Sequence, residues 1–437
     1  MPVNKTDRHR LRRWRWAAAA LAACLAGACA TAVTSGTAAT AGSPPPPLNC
    51  GVGLGFPVSC YSPQQFQVAY GVAPLLRRGI DGRGETVVVG PEPAAAASQG
   101  SATDIRADLA YFDKKFGLPR ARLHIVNTVG STTPYLAGGE EVNDTEIVHA
   151  FAPGATLDVI LTSPDTGTSA ASAAAAITKT IQEGTARHPA VISMSFSGGE
   201  HAFTRAEVTR MHAVLEQARD QHVTVAGSSG DDGAISSHEG PPVQVNMPAS
   251  DPLVLGVGGT ILDVTPAGRY LGEMAWNDNT EASGGGYSIL WRRPSYQDGL
   301  ARARATRGVP DVSANADPST AMALATVAHG HGQLRASGGT SSSTPMWAGV
   351  IALADQAAGR HLGFVNPALY AIGRSRAYHR AFHDVVSGGN SILWPTGVFN
   401  GYNAGPGWDP VTGLGSPDAQ YLVPLLAHGL SPGRSPR

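Results

Sequence analysis

The stretch "SGGTSSSTPMWAG", residues 337–349, sets two glycines and a cluster of hydroxyls before a proline and an apolar run. Glycines permit a sharp turn. Pro345 is tolerated in the first turn of a helix, so a helix is expected to start near Ser342. Ser341 then stands at the helix N-terminus, in the positive end of the backbone dipole. A hydroxyl placed there is a candidate nucleophile, provided a base lies within reach. Read alone, the run equally suits helix capping, the commonest role of Ser and Thr at such positions.

Histidine is the usual base. His329 and His331, in "AHGHG", lack the setting of a Ser-His-Asp triad and read as a turn. The acidic candidates are better placed. "GGEEVNDTEIVHAFAPG", residues 138–154, reads as a helix bracketed by Gly-Gly and Pro-Gly. Glu140 and Asp144 are four apart and share a face with Ile147, Val148 and Phe151. That periodicity points both acids inward, with Glu141, Asn143, Thr145 and Glu146 mostly elsewhere. Buried carboxylates are costly without a partner or purpose. A third acid, Asp231, follows the apolar stretch of "VTVAGSSGDDG" and is expected at the carboxyl end of a strand, where a turn role is also open.

These side chains need a scaffold. "ETVVVG" (85–90), "ATLDVILT" (155–162), "AVISMSFS" (190–197) and "HVTVAGSS" (222–229) read as buried strands. Helical stretches at 169–184 and 205–221 fall between them. The alternation predicts an α/β fold, a mostly parallel central sheet flanked by helices in three layers. Sites in such sheets collect at the carboxyl ends of the strands. With 32 basic and 33 acidic side chains in 437 residues, nothing points to nucleic acid or an anionic membrane.

Residues 1–41 read as a secretory leader: a basic "RHRLRRWRW", a weakly apolar alanine-rich stretch, then small residues. Ala39-Thr40-Ala41 and Ala28-Cys29-Ala30 are both plausible cleavage signatures. Arg12-Arg13 hints at twin-arginine export, and Leu21-Ala22-Ala23-Cys24 at a lipid anchor. No later stretch is apolar enough to span a membrane. Residues 42–59 are a proline-rich linker and arm, and 428–437 a tail. Outside the leader only Cys50 and Cys60 remain, and in an oxidising compartment they are expected to pair.

Taken together and in order, "GGEEVNDTEIVHAFAPGA", "VTVAGSSGDDG", "GGTSSSTP", "FHDV" and "AGPGWDPVTGLGSP" resemble the sedolisins, serine-carboxyl peptidases with a subtilisin-like fold. The resemblance covers about residues 60–427. It implies an acid-acting peptidase with Ser341 as nucleophile, Glu140 as general base, Asp144 as its partner and Asp231 as the acid lining the oxyanion hole. Carboxylates remain useful bases in mild acid, where histidine is protonated. The resemblance also implies one structural calcium, held by the carboxylates of Asp384 and Asp409 and the carbonyls of Val385, Gly405 and Gly407.

"SMSFSGG" (193–199) is expected to pair with extended substrate. The chain is expected to act as a monomer on proteins or peptides. Tripeptidyl-peptidase action, and a catalytically silent binding role on the same fold, are the alternatives. Sedolisins usually carry a long prosegment. Here a short linker follows the leader, so folding unaided or with a separate chain is expected.

Overall fold

A computed structural model describes residues 48–53, 56–90, 103–127, 136–137, 139–161, 169–236, 240–394 and 397–430. The leader, most of the proline stretch and residues 431–437 of the tail lie outside these. Eight strands build the central sheet: β1 (Thr86–Gly90), β2 (Arg122–Asn127), β3 (Thr156–Leu161), β4 (Val191–Met194), β5 (Thr224–Ser228), β6 (Leu255–Val264), β7 (Tyr270–Ala275) and β8 (Val312–Asn315). Their order is β7-β6-β5-β4-β1-β3-β2, with β8 also pairing β6. All pairings are parallel except β6 with β7.

Side-chain alternation distributes the apolar residues of these strands between two helical layers. Val87, Val89, Leu157 and Val159 face a core completed by α2 (Gly139–Phe151), α5 (Thr340–Ala358) and α6 (Ala419–His428). Val88, Ile160, Ile192 and Val225 face α3 (Ala170–Thr185) and α4 (Arg205–Asp220) on the other side. One further helix, α1 (Ile105–Phe116), packs its Leu109 and Phe112 into the first core. This is the expected three-layer arrangement.

The helices α2 and α5 sit unusually close. A Cβ on Gly349 would stand 2.4 Å from Cβ of Phe151, so only glycine lets these backbones approach. Trp347 then donates its Nε1–H to Ser313 O of β8 at 2.8 Å, fixing α5 against the sheet. Two expectations need correction here. First, α5 begins at Thr340, which puts Ser341 in the first turn but Pro345 in the second. Second, α2 has no solvent face beyond its first turn. Glu141, Asn143, Thr145 and Glu146 are buried along with Asp144, because α2 is enclosed by α5, α1 and the hairpin 324–335. Helical periodicity identifies a face only when one face is wet.

The hairpin of Leu48–Gly53 with Phe56–Cys60 is closed by the Cys50–Cys60 disulfide, with Cα atoms 6.1 Å apart. Both cysteines pack on Ala323, so the bridge pins this arm to the body as expected.

Candidate active site

The strand order reverses between β1 and β4, and two of the sequence-predicted residues, Asp231 and Ser341, meet in a cleft beyond the carboxyl ends of β4 and β5. Beyond β4 the chain runs through Ser195, Phe196 and Ser197, and beyond β5 through Gly230, Asp231 and Asp232. These six residues, with Ser228, Glu281, Thr340 and Ser341, line an open cleft of about 180 Å³. The first turn of α5 enters the same cleft. No histidine lines it among the described residues.

Asp231 is locked against the start of α5. Its Oδ1 accepts both the N–H and the hydroxyl of Thr340, each at 2.8 Å. Oδ1 is thereby committed as an acceptor, so a proton carried by this carboxyl belongs on Oδ2. Gly339, at φ 84°, makes room for that oxygen, because a Cβ there would lie 2.4 Å from Oδ2. The glycine therefore serves both the turn and the close approach.

Asp144 is completely buried. Burial pushes its pKa well above the carboxylate range, and the negative charge of Glu140 pushes it further. The two carboxyls share a hydrogen bond, while Ser195 and Asn143 also bond to Asp144. Glu140 is half-buried at the start of α2.

Ser341 donates its hydroxyl to Ser195 O at 3.1 Å. Its own carbonyl accepts from Asn143 Nδ2 at 3.2 Å and from Ser195 Oγ at 3.4 Å. Asn143 also bonds Asp144 Oδ1 at 3.1 Å and accepts from Ser342 Oγ at 2.9 Å. Asn143 and Thr340 are thus site residues that sequence reasoning missed, while Ser195, expected only as part of the substrate edge, is also bonded to Ser341 and Asp144. The expected substrate edge is narrower than residues 193–199. Gly198 and Gly199 already pair with Met247 and Asn246, which leaves Ser195–Ser197 facing the cleft.

Residues 135–368 match the Peptidase_S8 description, the subtilase family. Kumamolisin of Bacillus sp. (strain MN-32) is 32% identical over 382 residues, 84% of this chain and 64% of that protein. Sedolisin of Pseudomonas sp. (strain 101) is 30% identical over 340 residues, 74% of this chain and 56% of that protein. The solved structure of Pseudomonas sedolisin, a serine-carboxyl proteinase complexed with two molecules of pseudo-iodotyrostatin, superposes with a TM-score of 0.69 at 27% identity. It is covered completely and covers 85% of this chain. The chain belongs to the sedolisin family, within the subtilases. It spans about two thirds or less of the length of the two curated relatives named.

In this sedolisin-family chain the five residues expected to hold calcium come from two neighbouring segments. Asp384 accepts the Gly407 N–H at 3.1 Å on both oxygens and the Tyr378 hydroxyl at 3.0 Å. Asp409 is buried and accepts from Gly405 N, Val411 N and Thr412. Burial still pushes its pKa up to about 6. Oxygen donors alone, two of them carboxylates and one of these buried, make a set that fits a hard divalent cation.

Proposed function

We propose that this chain is a secreted, acid-acting serine-carboxyl endopeptidase that cleaves peptide bonds through an acyl-enzyme on Ser341. The observation that carries the reading is the grouping around Ser341: Asn143 and Ser195 tie its carbonyl to Asp144 of the acid pair, and Asp231 closes on Thr340 of the same turn. Burial and the charge of Glu140 favour a proton on Asp144. An extended peptide lies along Ser195–Ser197. Ser341 Oγ turns from Ser195 O and attacks the scissile carbonyl carbon, giving its proton to Glu140. The oxygen that gains charge accepts a hydrogen bond from protonated Asp231, in a cleft already shaped to receive it. Glu140 returns the proton to the departing amine. Water, deprotonated by Glu140 in turn, releases the acyl group and restores Ser341.

Both acids set the pH range. Asp231 works only while protonated and Glu140 only while ionised, so activity peaks in acid. The leader in residues 1–41 supports secretion. Asp384 and Asp409, with the carbonyls of Val385, Gly405 and Gly407, would hold one calcium ion. The ion would supply positive charge that keeps this C-terminal segment folded, and it takes no part in the reaction.

The test is digestion of a denatured protein across a range of pH by wild type, Ser341→Ala and Glu140→Gln. Loss of turnover in both variants, with unchanged melting, is expected. Turnover retained by Ser341→Ala would remove the mechanism. Product masses separate internal cuts from release of tripeptides.

A further inference from the structure

The far end of α5 carries a second cluster that the peptidase reading does not use. Asp355 lies in the last turns of α5, about 21 Å along the helix from Ser341. Glu85 immediately precedes β1, and His361 follows the helix. A carboxylate oxygen of Glu85, one of Asp355 and a ring nitrogen of His361 all lie within 4.8 Å of one another. Glu85 Oε2 and His361 Nε2 are 3.3 Å apart.

The surroundings call for a cation. The Asp355 side chain is completely buried. Its Oδ1 accepts from Leu362 N at 3.2 Å, while Oδ2 has no hydrogen-bond partner. A buried, unpartnered carboxylate oxygen is expensive. The carboxyl end of α5 adds the negative pole of the helix dipole. The Glu85 side chain is 11% exposed and that of His361 31%, so water and ions reach the cluster from the His361 side.

We propose that Glu85, Asp355 and His361 form a binding site for one zinc ion. Two carboxylates with one imidazole match a borderline metal better than calcium, which takes oxygen ligands. A tetrahedral ion with bonds of about 2.0–2.1 Å keeps its ligands about 3.3 Å apart. Glu85 and His361 already stand at that separation, and an Asp355 carboxylate oxygen lies within 4.8 Å of both. Water takes the fourth position. The two negative charges balance the ion, with His361 neutral. The site ties the loop after α5 to the amino end of β1, at the opposite end of the strands from the cleft.

The experiment titrates metal-stripped full-length protein with zinc at neutral pH, in competition with a chromophoric chelator. Excess calcium keeps Asp384 and Asp409 occupied. One equivalent should bind, and His361→Gln and Glu85→Gln should each weaken it by about 100-fold or more, the upper end of what even outer-shell changes do. Cobalt(II) should give the visible absorption of a tetrahedral site in wild type and lose it in His361→Gln. Both variants should keep wild-type peptidase activity in acid, which confirms that they fold. No zinc uptake by wild type, or equal uptake by folded variants, overturns the proposal. Neither result touches the peptidase reading.

Discussion

Pro345 has no N–H to give the carbonyl of Ser341, four residues before it, and side chains from two other elements take that carbonyl instead. Asn143 of α2 and Ser195 after β4 both donate to it. A proline inside a helix ordinarily weakens it by deleting this bond. Here the deletion opens an acceptor through which the backbone of Ser341 is tied to the element carrying Glu140 and Asp144. Asn143 completes the tie by bonding Asp144.

Restoring the missing donor should therefore loosen the site. In Pro345→Ala the new N–H competes for Ser341 O and releases Asn143 and Ser195. We expect kcat to fall about tenfold, the scale of one or two net hydrogen bonds, with little change in KM and no loss of melting temperature. Asn143→Ala should lower kcat similarly but also destabilise, since it leaves buried partners unsatisfied. Steady-state kinetics in acid beside thermal melts separate the two. A Pro345→Ala enzyme with wild-type kcat would show that the tie is incidental.

That tie also marks the limit of what the sequence discloses. Glu140, Asp231 and Ser341 were legible because glycines or a proline close by announce a turn, and Asp144 because it stands four residues after Glu140. The parallel sheet was legible because its buried strands are short apolar runs. Asn143 was hidden because α2 is buried on every side past its first turn, and periodicity then distinguishes no face. Ser195 was expected only as part of the substrate edge, because its bond from the Ser341 hydroxyl is to a main-chain carbonyl, which any residue offers. Glu85, Asp355 and His361 meet only through the packing of α5 under the sheet, and no local spacing encodes it.

Glu281 stands in the cleft with Asp231. Burial raises its pKa, and repulsion from Asp231 raises it further. The repulsion is mutual, so Glu281 in turn opposes ionisation of Asp231. Glu281→Gln removes that charge, and Asp231 should then lose its proton at lower pH. The basic limb of the kcat profile should move to more acid pH while the acid limb stays in place. An unshifted basic limb would assign that limb to another group.

Calcium should stabilise without entering the chemistry. A ligand that binds only the folded state raises stability by mass action. Chelation is expected to lower the melting temperature of wild type, and Asp409→Asn should melt low with or without chelator. At a temperature where both stay folded, kcat should be nearly unaffected. A wild-type melting temperature indifferent to chelator and to added calcium would count against the site.

The last prediction concerns stability and pH. Glu146 and Glu273 are buried, and burial dominates the upward shift of both pKa values; Asp418 is pushed up to about 6 in the same way. Each folded pKa exceeds the unfolded one, which lies near 4. Between the two values the folded chain keeps a proton that the unfolded chain has released. Stability should therefore be greatest in acid and fall as pH rises, through about pH 4–6 for Asp418 and further for Glu146. The slope within each window is about 1.4 kcal/mol per pH unit per group. Glu146 Oε2 accepts from Ala325 N at 2.8 Å, and glutamine can still accept there without ionising. In calcium-saturated buffer, Glu146→Gln should match wild type in melting temperature near pH 4 and exceed it near pH 7. An equal difference at both pH values would mean that the proton on Glu146 does not contribute to the acid stability of the fold.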